Sequence, residues 1–160
     1  MDEKNVPAVL VSACLLGTSC RYDGRDNKVV SVVEQGKKVH LIPVCPEQMG
    51  GLMTPRPPAE IREGRVYAKD GRDVTESFQK GAEEALKLAQ LFGCRCAILK
   101  ARSPSCGSGL IYDGTFSGRK TEGDGITAAL LKKNGIRVYT EEEIVKNQRI
   151  SEQETEDHRA

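Results

Sequence analysis

Four short, largely apolar runs constrain this chain most: AVLVSA at 8–13, VHLIPV at 39–44, CAILK at 96–100 and IRVY at 136–139. A strand with one wet face alternates in polarity. A run that does not alternate suits a strand covered on both faces, as in parallel sheets. The segments between these runs carry helical patterns. Asn27 caps a short helix predicted to Gln35 and stopped by Gly36, although Val29, Val30, Val32 and Val33 weaken it by β-branching. Asp73 and Glu76 form a capping pair for a long helix to about Phe92, with Phe78, Ala82, Ala85, Ala89 and Phe92 on one face. A helix from Asp124 to Lys133 puts Ile126, Ala129 and Leu130 on one side, and another follows at 141–147.

Strands alternating with helices predict an α/β fold: a single domain with a mainly parallel sheet flanked by helices, Rossmann-like and three-layered. Two β-hairpin excursions are expected, at 59–69 around Glu63-Gly64 and at 110–118 around Asp113-Gly114. Residues 45–58, with three prolines in the last four positions, are expected to be irregular. The domain spans 1–147, and the polar stretch 148–160 reads as a disordered tail.

Several function classes are excluded by composition. Aromatic residues make up 4% of the chain and Trp is absent, so no stacking platform for single-stranded nucleic acid is expected. Net charge is +1 with no long basic run, which removes the electrostatic basis for stable nucleic-acid binding. No apolar run approaches the ~18 residues of a membrane span, and the N-terminus lacks the pattern of a signal peptide. A cytoplasmic, reducing setting is the expectation. In that setting six cysteines read as metal ligands or catalysts more naturally than as disulfides.

Three of those cysteines stand where strands are predicted to end: Cys14 after VLVSA, Cys45 after VHLIPV and Cys106 beyond CAILK. Parallel sheets gather their chemistry at the carboxyl ends of their strands, so these thiols can share one crevice. Three soft ligands without an obvious fourth describe a metal or iron–sulfur centre with an open position. A lone cysteine at a strand end is often just a small buried hydrophobe. Here Pro46 after Cys45 and the Ser-Pro-Ser-Cys-Gly setting of Cys106 fix the backbone and favour exposed side chains. Cys94 and Cys96, two apart at a strand start, are expected to face the same side and be buried. Cys20 stands open between a resolving thiol, an extra ligand and an inert loop residue. No Cys-x-x-Cys pair exists, which argues against thioredoxin-type exchange.

Other candidates cluster around these thiols in sequence. Glu47, two residues after Cys45, is placed for proton transfer beside a metal centre. Ser103 and Ser105 flank Pro104 and can donate hydrogen bonds or cap a turn. Arg56, between Pro55 and Pro57, can orient an anion or a carbonyl, and Tyr22 can line the same mouth. Backbone amides near Gly123 and Gly125 are candidate anion contacts. His40 reads as a core or edge residue, and His158 lies in the tail. No phosphate loop, dinucleotide fingerprint or nucleophile–His–acid set is present.

The motifs VSACLLG (11–17), CRYDG (20–24), PVCPEQMGGLMTPRPPAE (43–60), DVT (73–75), KARSPSCGSG (100–109) and YDGTFSG (112–118) resemble the thiouracil desulfidase (TudS-like) family over about residues 8–144. The resemblance implies a [4Fe–4S] cluster held by Cys14, Cys45 and Cys106, with one iron lacking a protein ligand. It also implies a catalytic glutamate at Glu47 and an active-site serine at Ser103. The expected reaction is a non-redox hydrolysis of a thiocarbonyl, with iron as Lewis acid and Glu47 activating water. The expected substrate is thiouracil or a related thiolated base, nucleoside or nucleotide. Two other readings share these residues: sulfur transfer or a lyase reaction on another substrate, and a non-catalytic iron–sulfur or zinc module.

Overall fold

The computed structural model describes residues 6–147, so the expected tail at 148–160 and His158 lie outside the described residues. In chain order the elements are β1 (Ala8–Ser12), α1 (Val30–Glu34), β2 (His40–Val44), α2 (Pro46–Met49), β3 (Ala59–Arg62) and β4 (Arg65–Ala68). They continue with α3 (Thr75–Leu91), β5 (Cys96–Leu99), β6 (Leu110–Tyr112), β7 (Lys120–Glu122), α4 (Ile126–Lys133), β8 (Arg137–Thr140) and α5 (Glu141–Asn147). Among the described residues no helix is long and apolar enough to cross a membrane.

The four apolar runs form one all-parallel sheet in the order β2-β1-β5-β8. The central strands are the most apolar: Val9, Leu10 and Val11 of β1, and Ala97, Ile98 and Leu99 of β5, have no exposed surface. Pro43 sits on the edge strand β2, where its missing N–H removes no inner ladder bond. His40, on the same edge strand, is exposed. Alternate residues feed two helical layers, because strand side chains point to opposite faces. Leu10, Ala97 and Leu99 meet Ala85 and Ala89 of α3 and Ala128 and Leu131 of α4. Val9, Val11 and Ile98 meet Val32 of α1 and Ile144 of α5. This is the expected three-layer α/β arrangement. The β3–β4 hairpin packs Val66 and Ala68 on Phe78 of α3, and Glu63 and Gly64 supply its two positive-φ turn residues.

Several local expectations are corrected. Cys94 and Cys96 are both buried but belong to opposite layers, because Cys94 precedes β5 and escapes its two-residue period. The first helix begins at Val30 instead of Asn27: the amides of Asn27 and Val29 donate back to the Cys14 and Leu15 carbonyls. Asp73 does not cap with Glu76. Its Oδ1 accepts from the Thr75 amide and hydroxyl, and its Oδ2 holds Arg65 of β4 at 2.7 Å. Phe92 lies past the end of α3 and is half exposed. Helix α4 buries Thr127, Ala128 and Leu131, not Ala129, because its first turn docks onto the loop after β5.

Asp113-Gly114 does not make a tight turn. Oε1 of Glu60 takes the amides of Gly114 and Phe116, so β6 pairs instead with Lys120–Glu122. Residues 45–58 are not wholly irregular either, since Pro46 starts the single turn of α2.

That turn lies backbone to backbone against α3. A Cβ on Gly81 would stand 1.8 Å from the Pro46 carbonyl oxygen, and one on Gly50 would stand 1.9 Å from that of Ser77. Only glycines permit this approach, and it fixes where Cys45 and Glu47 point. Gly81→Ala should therefore cost about 3 kcal/mol, read as a fall in Tm of roughly 6–12 °C. An unchanged melting curve would mean that α2 can back away from α3 freely.

Candidate active site

A cavity of about 430 Å³ opens at the carboxyl ends of β1, β2 and β5. The chain leaves β1 for β2 on one side and later returns as β5 on the other, so this is the sheet's topological switch point, the usual ligand crevice of such folds. Cys14 reaches it from the single 3₁₀ turn that follows β1, Cys45 from the junction of β2 and α2, and Cys106 from the loop after β5. All three line the cavity, together with Glu47, Ser103, Arg56 and Tyr22.

Each of these sulfurs has a protein hydrogen bond beside it. The Asn27 side chain serves Cys14, the Gln48 amide serves Cys45, and the Ser12 hydroxyl serves Cys106. Ser12 accepts the Lys100 amide at 3.0 Å, which leaves its own proton for the Cys106 sulfur. Cys20 is 3% exposed and lies between Cys14 and Cys45, with its thiol directed at their sulfurs. That contact lowers Cys45 to about 6, helped by the Gln48 amide and the Arg56 charge. It also lowers Cys14, with Asn27 and Lys100 contributing and burial opposing. The Cys20 thiol is pushed up in exchange, first by serving as donor to Cys14 and Cys45. Burial raises Cys106 to about 12, so ligation there must drive off its proton.

Glu47 projects from α2 with its side chain 17% exposed. Its Oε1 accepts from Arg56 Nε at 3.0 Å. Arg56 lines the cavity, and most of its donors are turned to the protein. Its Nη1 donates to Met53 O and Thr54 Oγ1 at 3.2 and 2.8 Å, and its Nη2 to Cys20 O at 2.9 Å. Ser103 Oγ accepts the amides of Ser105 and Cys106, both at 3.1 Å, which shapes the loop and leaves the hydroxyl proton for the cavity. Ser105 is placed elsewhere: it has no exposed surface, does not line the cavity, and bonds Thr127 Oγ1 of α4 at 2.8 Å. That bond anchors the loop to α4.

Tyr22 is 38% exposed at the cavity mouth, with the Arg21 guanidinium over its ring. The amides near Gly123 are not available to an anion. Gly123 donates to Gly109 O and Gly125 to Gly107 O, while Ile126 and Thr127 donate to the Pro104 and Ser105 carbonyls.

Sequence reasoning missed Ser12, Asn27, Lys100 and Glu60 as lining residues. Ser12 stands two residues before Cys14, and Asn27 follows shortly after Cys20-Arg21-Tyr22-Asp23-Gly24, so motif adjacency was the available signal. Lys100 is tied to Glu141 at 2.9 Å, and that carboxylate also takes the Ala101 amide, a partnership no local pattern announces.

The donor set suits a polynuclear cluster. The three thiols come from separate elements of the chain and line one cavity. A cluster attaches its thiolates to different irons and so accepts ligands that are spread apart. The surroundings favour the thiolate form that such ligation needs at Cys14 and Cys45, whereas burial opposes it at Cys106.

Comparisons with known proteins agree with this architecture. The sequence model of the 2-thiouracil desulfurase family matches residues 9–143. The chain is 45% identical over 149 residues to YbbK of Bacillus subtilis (strain 168), an uncharacterized protein, covering 85% of this chain and 97% of that one. A solved structure described as the [4Fe–4S]-dependent thiouracil desulfidase TudS superposes with a TM-score of 0.83 at 46% identity, covering 88% of this chain and 94% of that one. With a match that runs from β1 through α5, this chain belongs to the 2-thiouracil desulfurase family.

Proposed function

We propose that this protein is a [4Fe–4S]-dependent desulfidase. It would convert the thiocarbonyl of thiouracil, or of a related thiolated nucleoside or nucleotide, to a carbonyl. The balance is one water consumed and one hydrogen sulfide released, with no net oxidation. The observation that carries this reading is the cavity that brings Cys14, Cys45, Cys106, Glu47 and Ser103 together in a member of this family.

Cys14, Cys45 and Cys106 would hold the cluster. When bound, it supplies a Lewis-acidic iron, the one left without a protein thiolate, to polarise the thiocarbonyl through sulfur. The chain's own groups do the rest. Glu47 offers Oε2, which takes no hydrogen bond from described residues, as base to the attacking water while Arg56 holds Oε1. The proton it gains then assists departure of sulfur. Ser103 has both oxygen lone pairs occupied by amides, so it can only donate, which suits charge developing on the substrate. Tyr22 and Pro58 present flat apolar surface at the mouth for a planar base.

The test is turnover by anaerobically reconstituted protein. With 4-thiouracil, 4-thiouridine and its monophosphate as substrates, we expect loss of thiocarbonyl absorbance matched one to one by sulfide. Fully loaded protein that is inert on all three would end this reading in favour of another sulfur substrate or a non-catalytic cluster module.

A further inference from the structure

Arg56 is the most constrained charged group in the cavity wall. Its side chain is 7% exposed. Four of its five N–H donors are engaged, on Glu47, Met53 O, Thr54 Oγ1 and Cys20 O. Its own amide donates to Tyr22 O at 2.8 Å. One planar group thus joins three pieces of backbone: α2 with Glu47, the turn at 53–54, and the loop at 20–22, which is far away in sequence. A guanidinium can do this because its donors diverge in a fixed plane, whereas an ammonium is a single point of charge.

We infer that Arg56 is the positioning residue for Glu47, setting the carboxylate against the cavity by bracing it to the Cys20 loop, and that it does not bind substrate. The inference rests on the desulfidase reading above. Three features carry it. The Nε bond fixes Oε1 and so the plane of the carboxylate, which leaves Oε2 turned to the remaining space. The Nη2 bond ties that plane to the loop carrying Cys20, whose thiol faces Cys14 and Cys45. The Nη1 bonds fix the guanidinium itself to the turn before Pro55. With a single N–H left over and little exposed surface, the group has no fork to offer a phosphate or a carbonyl. A misplacement of about 1 Å in a reacting group can cost on the order of 10²-fold in rate. That is the effect expected of losing the brace.

The experiment uses full-length, cluster-loaded protein with 4-thiouracil. Arg56→Ala should lower kcat about 100-fold with KM within about threefold of wild type, and with iron and sulfide content retained. Millimolar guanidinium ion should restore part of that kcat in Arg56→Ala and none in Glu47→Gln. Arg56→Lys should stay well below wild type, since one ammonium cannot reach Glu47 and the Cys20 carbonyl together. In the Glu47→Gln background, adding Arg56→Ala should cost little more, because the two residues act as one unit.

A raised KM with kcat preserved would overturn the inference and return Arg56 to substrate binding. So would additive losses in the double variant. Should Arg56→Ala fail to load its cluster, the loaded Arg56→Lys variant reads the same kcat–KM split, and loss of loading in both would make Arg56 a wall residue and overturn the proposal. Failure of the wild-type enzyme itself on every thiolated pyrimidine would strike the functional reading, a different result from any of these.

Discussion

Changing Cys14, Cys45 or Cys106 to Ser, one at a time, should abolish cluster loading and with it turnover of thiouracil. Serine keeps the size and a hydrogen-bonding atom but replaces a soft, acidic thiol with a hard hydroxyl that does not ionise near neutral pH. Loss of the Lewis-acid contribution, several kcal/mol, corresponds to a rate deficit of at least about 10³-fold. The three variants should differ in stability. Cys45 belongs to neither main core layer, so Cys45→Ser should melt close to the wild-type apoprotein. Cys106 is 5% exposed and packs with the layer beneath α3 and α4, so its serine variant should lose about 1–2 kcal/mol as well. Iron analysis and the melting curve of the apoproteins separate the two effects.

Cys20→Ser is the decisive comparison in that series. A serine there retains a donor between Cys14 and Cys45, and the variant should load iron. If it loads none, Cys20 joins the ligand set, and an iron open to substrate can no longer be argued from the number of thiols. Cys94→Ser supplies the outer control: it lies in the core layer under α3, away from the cavity, so it should lose stability and keep its cluster.

These contrasts trace back to what one sequence can reveal. Strands β1 and β5 were legible because burial on both faces demands unbroken apolar runs, and the cysteines followed because strand ends converge in a parallel sheet. The β3–β4 hairpin was legible because Glu63 and Gly64 determine it locally. Features that depend on a distant partner were hidden. Asp113-Gly114 carries the strongest hairpin signal in the chain, yet Glu60 pulls its amides into a different arrangement. Thr127 faces inward, where its hydroxyl meets Ser105, so the buried face of α4 runs through Thr127, Ala128 and Leu131 and leaves Ala129 exposed. Arg56 and Glu47 are nine residues apart, but four bonds from one guanidinium define their relation, and no spacing rule encodes that. Motif resemblance marked which residues matter. The fold decided which of them touch.

Glu47→Gln is the sharpest test of the chemistry itself. Glutamine matches glutamate in shape and its amide oxygen can still accept from Arg56 Nε, so the brace to the Cys20 loop persists. Glu47→Ala is a poorer test, because it strands the largely buried guanidinium without its carboxylate and adds a structural penalty to a chemical one. What glutamine cannot do is accept a proton from water. General-base catalysis contributes typically 10²–10⁴-fold, so kcat for 4-thiouracil should fall about 10³-fold while KM and iron content hold near wild type. The order of effects matters more than the size. A positioning defect at Arg56 is repaired by added guanidinium, but a missing base is not. Ser103→Ala, which removes a donor and leaves the base in place, should fall between the two. Should Glu47→Gln keep its cluster and more than about a tenth of its kcat, the proton would have to leave through bulk solvent, and α2 would then serve only to carry Cys45 to the cavity.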